Sequence, residues 1–262
     1  MRGVTARRNR PPFERVGLGE LRIDDERALR HVPLYAPLKQ RLLDDGHRFR
    51  VARTSDWNRA LLLNLGFWSP RDPADVLTGR RIPADVVAHV AWHHVAARAL
   101  GEAASSADGL LFAESVASAF DLYLVGKLLD KAPRSTFLAT QVPAMADVAE
   151  SAGLGRRAFA RLLGDIARDP DAAFAELRAL LFHAGARLVR VKNTDAAARV
   201  LEGFAAHRFH ALLHHYNLAS WVLYCRAHAS PIAPRVLPAI ARVDRALGRA
   251  PIALEWLARQ WL

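Results

Sequence analysis

Residues 84–100 read ADVVAHVAWHHVAARAL and residues 110–130 read LLFAESVASAFDLYLVGKLLD. Each carries metal-binding types of side chain on an arc that is otherwise apolar. On a helix, His89 and His93 are four residues apart and point the same way, together with Val86, Val90, Ala97 and Leu100. In the second segment Glu114, Ser118 and Asp121 share an arc with Leu110, Val125 and Leu128. A carboxylate on an apolar face is costly to bury unless it is paired or bound to a cation. Two imidazoles on a facing helix complete the donor set that such a cation needs.

The linker over residues 101–109 is short, which predicts an antiparallel helix hairpin. Counted outward from its middle near Ser105, His93 lies 12 residues back and Glu114 nine forward, while His89 and Asp121 are both 16 away. The heights along the hairpin match. His89, His93 and Glu114 are therefore expected to converge as metal ligands, with Asp121 one layer away as the group that orients an imidazole. Three protein ligands leave a coordination position open, as catalytic zinc requires. Two histidines with one carboxylate also suit non-haem iron. Zinc is the expected ion and iron the alternative; the competing expectation is a pair of core histidines bonded to backbone or to Glu114 without metal.

The spacing resembles the gluzincin zinc metallopeptidases. In that family HExxH lies on one helix and a Glu ligand about 20 residues on in a second helix, followed by an acidic residue. The matching segments here are His89-Val-Ala-Trp-His93 and Glu114-Ser-Val-Ala-Ser-Ala-Phe-Asp121. The resemblance implies a zincin-like metal-dependent hydrolase with His89, His93 and Glu114 as ligands. One departure is serious. The family's catalytic Glu follows the first His, and that position is Val90 here. The usual general base is missing, so the resemblance extends equally to a non-peptidase relative. Asp85, one turn before His89, and His94 are the nearest groups that could stand in for it.

A second histidine cluster lies in HRFHALLHHYNLASW. On a helix, His207, His210, His214, Asn217 and Trp221 form one stripe, opposite Phe209, Leu212, Tyr216, Ala219 and Leu223. The stripe reads either as the solvated face of an amphipathic helix or as a lid over the metal hairpin. In the second case His210 or His214 would lend a further ligand or a hydrogen-bond donor. His31, His47, His183 and His228 carry no spacing signal.

Residues 145–168 offer a different function. MADVAESAGLGRRAFARLLGDIA resembles the helix-turn-helix of bacterial regulators, with Ala149 at the small position and Gly153 at the turn. Val148, Leu154, Phe159 and Leu162 take its buried positions. Arg156, Arg157 and Arg161 would then lie on the recognition helix, facing phosphates or guanine edges. This makes a DNA-binding transcriptional regulator the alternative function, with nucleic acid as its partner. Asp147, Glu150 and Asp165 place negative charge near the same face.

Composition sets the frame. The chain has 262 residues, 52% of them hydrophobic, enough for a sizeable core. Net charge is +11, but lysines occur only at 39, 127, 131 and 192, so the basic residues are nearly all arginine. Together with abundant alanine, that imbalance reflects codon bias as much as selection for phosphate. The first 17 residues are basic and read as a flexible arm, ahead of one mainly helical domain over residues 18–262. No apolar run reaches the roughly 18 residues of a membrane span, and no apolar stretch follows the basic arm as in a secretory signal. One cysteine, Cys225, excludes an intrachain disulfide and a thiolate zinc cluster. A cytoplasmic location and no membrane partner are expected.

The fold class is mainly α, a multi-helix domain around the central hairpin, with at most a small β element before residue 70. Helical spacing covers residues 27–45, 84–100, 110–130, 144–152, 156–168, 171–189, 195–228, 233–247 and 251–262. Residues 47–53 read as a short strand; residues 60–68 read as a strand or a buried helix, between which periodicity does not decide. Pro133, Pro143, Pro170 and Pro231 are expected to separate helices.

Overall fold

Residues 107–128 are so apolar as a helix that they must be surrounded, and the rest of the chain surrounds them. The computed structural model describes residues 13–53, 76–231 and 238–262. Its architecture is mainly helical with two small sheets. The chain order begins with β1 (Phe13–Gly17), β2 (Arg22–Asp24), α1 (Glu26–Leu29), α2 (Tyr35–Asp44) and β3 (Arg48–Ala52). It continues with β4 (Val76–Leu77), β5 (Arg81–Pro83), α3 (Ala84–Leu100) and α4 (Ala107–Leu128). The remaining helices are α5 (Thr136–Ser151), α6 (Arg156–Arg168), α7 (Pro170–Leu188), α8 (Thr194–Glu202), α9 (Leu218–His228), α10 (Pro238–Arg249) and α11 (Ala253–Trp261).

Strand β1 pairs antiparallel with β3, Phe13 opposite Ala52, and β3 pairs parallel with β4. Strands β2 and β5 form a separate parallel pair. Of the arm expected over residues 1–17, the described part, Phe13–Gly17, is a strand with Phe13 and Val16 buried. Strands β4 and β5 lie beyond residue 70, where no β element was expected. At two and three residues, they are too short to show a period. The expectation for residues 60–68 lies outside the described residues.

Helix α3 starts where Pro83 ends β5, and Pro83 is its N-cap residue. Helix α4 starts earlier than residue 110, because Ser106 caps it: its Oγ accepts from Gly109 N at 3.0 Å. The linker is a tight 3-10 turn over Gly101–Ser105. A Cβ on Gly109 would stand 2.0 Å from the Ala103 carbonyl oxygen, so only glycine lets the turn fold back this closely. At the other end, a Cβ on Gly126 would stand 2.7 Å from the Ile166 carbonyl oxygen, which fixes how closely α4 crosses the end of α6.

Helix α4 packs most extensively on α7 and next on α3. It is apolar enough to cross a membrane by length and composition, yet 83% of its apolar window is buried inside the structure. That burial makes it the core helix of the fold. Two ion-pair hubs brace the helices around it. Asp45, at the end of α2, holds His94 at 2.8 Å and Arg98 at 2.5 Å on α3. Asp244 on α10 holds Arg178 at 2.5 Å and His183 at 3.2 Å on α7. Arg178 is 3% exposed and its guanidinium also lies over the Phe112 ring of α4.

Two boundaries differ from expectation. Pro143 lies inside α5 rather than before it. The helix is started by the Ser135 cap, whose Oγ accepts from Leu138 N, and buried residues on both sides of the proline, Phe137, Leu138, Met145 and Ala149, hold it down. The single helix expected over residues 195–228 is broken. It becomes α8, a turn region, the 3-10 segment His210–Tyr216 and α9. Asn217 adopts a left-handed backbone at φ 49, which ends one helical segment and starts the next.

Asp244 gives a test of this bracing. Burial pushes its carboxyl up, but the His183 and Arg178 hydrogen bonds outweigh it and bring it down to about 2. A depressed carboxyl contributes stability above its unfolded value near 4 and loses it as pH falls through its folded value. Chemical denaturation should therefore show wild-type stability falling between about pH 4 and pH 2 by on the order of 2 kcal/mol from this group. Asp244→Ala should cost about 3 kcal/mol at neutral pH, because it strands a buried guanidinium. An Asp244→Ala protein as stable as wild type at pH 7 would show that α7 and α10 are held by other contacts.

Candidate metal centre

The hairpin brings the two histidines and two carboxylates into one cluster at the α3–α4 seam. His93 Nε2 is 3.0 Å from Glu114 Oε2, and His89 Nε2 is 3.8 Å from Glu114 Oε1. The two imidazole Nε2 atoms are 3.3 Å apart. One ligand atom from each of His89, His93 and Glu114 lies within 4.8 Å of the others, the one such group among the described residues. The register is antiparallel, with His93 opposite Glu114 and His89 opposite Asp121, as the heights in the sequence require.

Each distance has a chemical meaning. His89 Nδ1 donates to Asp121 Oδ2 at 3.0 Å. In a neutral imidazole this places the lone pair on Nε2, toward Glu114 and His93. Two nitrogens each about 2.0–2.1 Å from a shared tetrahedral zinc stand about 3.3–3.4 Å apart, and the observed 3.3 Å fits that edge. Glu114 Oε1 also accepts from Ser118 Oγ at 3.3 Å.

The electrostatics keep Glu114 ionised beside its imidazoles. Burial pushes the Glu114 carboxyl up, but the charge and hydrogen bond of His93, with help from His89 and Ser118, bring it down to about 2. Asp85, one turn before His89, moves the other way. Burial and the negative charge of Asp121 raise it to about 6, against a partial pull from His89. The seam therefore gathers three carboxyl groups, Asp85, Glu114 and Asp121, around two imidazoles.

The site is not sealed in the core. The side chains of His89, His93 and Glu114 are 27%, 36% and 29% exposed, whereas the apolar arcs of the sequence suggested deep burial. On the α4 side the cluster adjoins a cavity of about 290 Å³, to which Glu114, Ser118 and Asp121 contribute one wall. Gln141, His215 and Trp221 stand among its other walls. His215 Nε2 donates to Gln141 Oε1 at 3.2 Å. Burial lowers the His215 imidazole despite the nearby charge of Asp121, so it stays neutral.

The remaining predicted residues are dispersed. His214 does not line this cavity but borders a separate groove, and His210 lines neither. Both were placed on one helical face with His207. The chain there is turn and 3-10 helix, whose tighter winding gives the cavity position to His215 instead. No spacing signal singles out His215 or Gln141 in the sequence, whereas Trp221, on the predicted stripe, does line the cavity. His94 points away from the cluster, to Asp45. Val90, where gluzincins carry their base, is 4% exposed in the core.

Arg156, Arg157 and Arg161 are exposed along α6, which follows α5 through a four-residue turn with Gly153 at φ 84. Of the four positions expected to be buried, Phe159 and Leu162 are buried, Leu154 is half-buried against the core, and Val148 is half-buried and does not pack on it. Arg156 lies 3.9 Å from Glu150.

Comparison with protein-family models, with curated proteins and with solved structures finds no match for this chain.

The Asp121 contact makes the cluster testable without any metal. Nitrogen-15 NMR of the histidine rings should find His89 in its Nδ1–H tautomer near neutral pH, and Asp121→Leu should shift it toward the commoner Nε2–H form. An Nε2–H signal for His89 in the wild type would contradict the orientation described here.

Proposed function

We propose that this chain binds one divalent transition-metal ion, zinc first and iron second, through His89, His93 and Glu114. The reading has the ion serving a hydrolytic reaction of zincin-like geometry on a substrate other than peptide. One observation carries it: three donor atoms on two helices converge at coordination spacing, with Asp121 fixing the tautomer of His89. The His89–Asp121 and His93–Glu114 contacts would satisfy these groups without metal, but they do not by themselves bring three ligand atoms to one point. An oriented ligand set with a carboxylate behind one imidazole is what metal sites use.

A bound ion would supply Lewis acidity toward a carbonyl or phosphoryl oxygen. The chain's own residues would supply the rest. Asp121 holds His89 in place, and Ser118 holds Glu114. His215, neutral and hydrogen-bonded to Gln141 at the cavity wall, is the group placed to take a proton there. The absence of a carboxylate at Val90 removes the peptidase base, and losing a general base costs about 10²- to 10⁴-fold.

Protein purified without a histidine tag should carry close to one equivalent of zinc or iron by elemental analysis. A strong chelator should lower the melting temperature, because an ion that binds only the native hairpin stabilises it by mass action. Asp121→Asn should weaken metal binding by about 10- to 100-fold in competition with a chromophoric chelator. A metal-free protein whose melting curve ignores both chelator and added zinc would sink the proposal.

Hydrolysis of casein or short peptides should be absent or very weak even when zinc is bound. Robust peptide turnover that disappears with His93→Ala would show that a residue other than a glutamate at position 90 serves as the base.

A further inference from the structure

A second concavity, independent of the metal centre, has the chemistry of a ligand site. It is a groove of about 470 Å³ between the end of α7, helix α8 and helix α9. Its floor is aliphatic, built from Leu188, Leu201, Leu213, Leu218 and Val222. Helix α8 has no buried residue at all, although it is amphipathic: Ala197 and Leu201 on its apolar side reach the groove and are only partly covered. Leu223, on the opposite rim, is 65% exposed. An aliphatic surface left this open costs hydrophobic stabilisation that a bound chain of methylenes would recover.

The polar groups around that floor have one sign. Lys192 and Arg226 both line the groove, and no described lining residue is acidic. Lys192 has no carboxylate partner among the described residues. The Arg226 guanidinium is held in place by the carbonyl oxygens of Val189 and Val191 and keeps its charge uncompensated. Elsewhere in the fold the exposed arginines are often paired, as Arg190 is with Asp108 and Arg208 with Glu176. One anchored cation, Arg226, and one unpaired cation, Lys192, beside an aliphatic trough match an anionic head on an aliphatic tail.

The geometry points to this groove as a binding site for an anionic amphiphile of medium chain length, a fatty carboxylate in the simplest case. Its carboxylate would face Lys192 and Arg226 and its chain would lie along Leu201, Leu213, Leu218 and Val222. The volume falls within the usual range of small-molecule sites, roughly 300–1,000 Å³. The site stands apart from the metal proposal, since none of its lining residues belongs to the His89–His93–Glu114 cluster.

Titration calorimetry of the full chain with decanoate, kept below its micellar concentration, tests this. The expected result is saturable binding with one site per chain, the same in chelator as in zinc. Decan-1-ol, with the same tail and no charge, should bind at least tenfold more weakly. Lys192→Glu should weaken decanoate about tenfold or more and leave decan-1-ol unchanged, which separates loss of charge recognition from misfolding. Ala219→Trp, which fills the groove from α9, should abolish both while the circular dichroism melt stays within a few degrees of wild type. Equal affinity for the acid and the alcohol, or no effect of Lys192→Glu, would overturn the proposal. So would a groove that ignores decanoate but binds an acidic amphipathic helical peptide.

Discussion

Helix α4 is buried on all sides but a narrow one, and much else in the structure follows from that. Of its 22 residues only Ala107, Asp108, Leu110, Glu114, Asp121 and Lys127 escape full burial. Ala107, Leu110, Glu114 and Asp121 fall on one arc, because 100° per residue brings positions 3, 4 and 7 apart back together. That arc runs along the seam with α3. A core helix has very few positions at which a carboxylate can stay ionised, and this helix uses two of them beside the imidazoles of α3. Glycine at 109 and 126 then fixes the approach of the neighbouring turn and of α6, so the seam cannot widen without unpacking the core.

The seam is also where carboxyl groups crowd together. Glu114 is held ionised by His93, Asp121 is engaged by His89, and Asp85 is driven toward its neutral form by burial and by Asp121. Three carboxyl groups around two imidazoles make an arrangement in which protonating any one of them relieves the others. A divalent ion relieves all of them at once and needs no proton. The same feature separates this cluster from the Asp244 hub. There a buried guanidinium already matches the carboxylate, and no further cation is called for.

Much of the architecture was legible in the sequence, and the parts that were not share a cause. The helices at 84–100 and 156–168 have the predicted bounds, because Pro83 and Gly155 mark their starts and the turn residues Gly101 and Asp169 follow their ends. The pairing of His93 with Glu114 and of His89 with Asp121 was readable because a short linker makes height along a hairpin a matter of counting. Exposure of the site was not readable, since an apolar arc looks the same whether a neighbouring helix covers it fully or at its edge. The stretch 203–217 failed for a different reason. Its histidines and aromatics have middling helix propensity, and only the tertiary setting decides that Asn217 turns left-handed. A helical wheel drawn through it selects His210 and His214, whereas the real winding presents His215. Pro143 was over-read as a breaker, because buried residues on both sides outweigh the hydrogen bond it removes.

Position 90 narrows what an ion bound at this cluster could do. In the gluzincin pattern that the spacing resembles, the residue after the first histidine is the catalytic glutamate. Here that residue is a buried valine, packed between α3 and its neighbours. A glutamate in its place would have to bury a charge or break the packing, so this backbone does not merely lack the base but excludes it. Under the proposed reading, proton transfer would fall to the other side, across the cavity walled by α4, α5 and the segment around His215. That side offers a neutral imidazole rather than a carboxylate. An imidazole kept neutral by burial is a proton acceptor rather than a donor, which under the proposed reading suits activation of a nucleophile more than protonation of a leaving group.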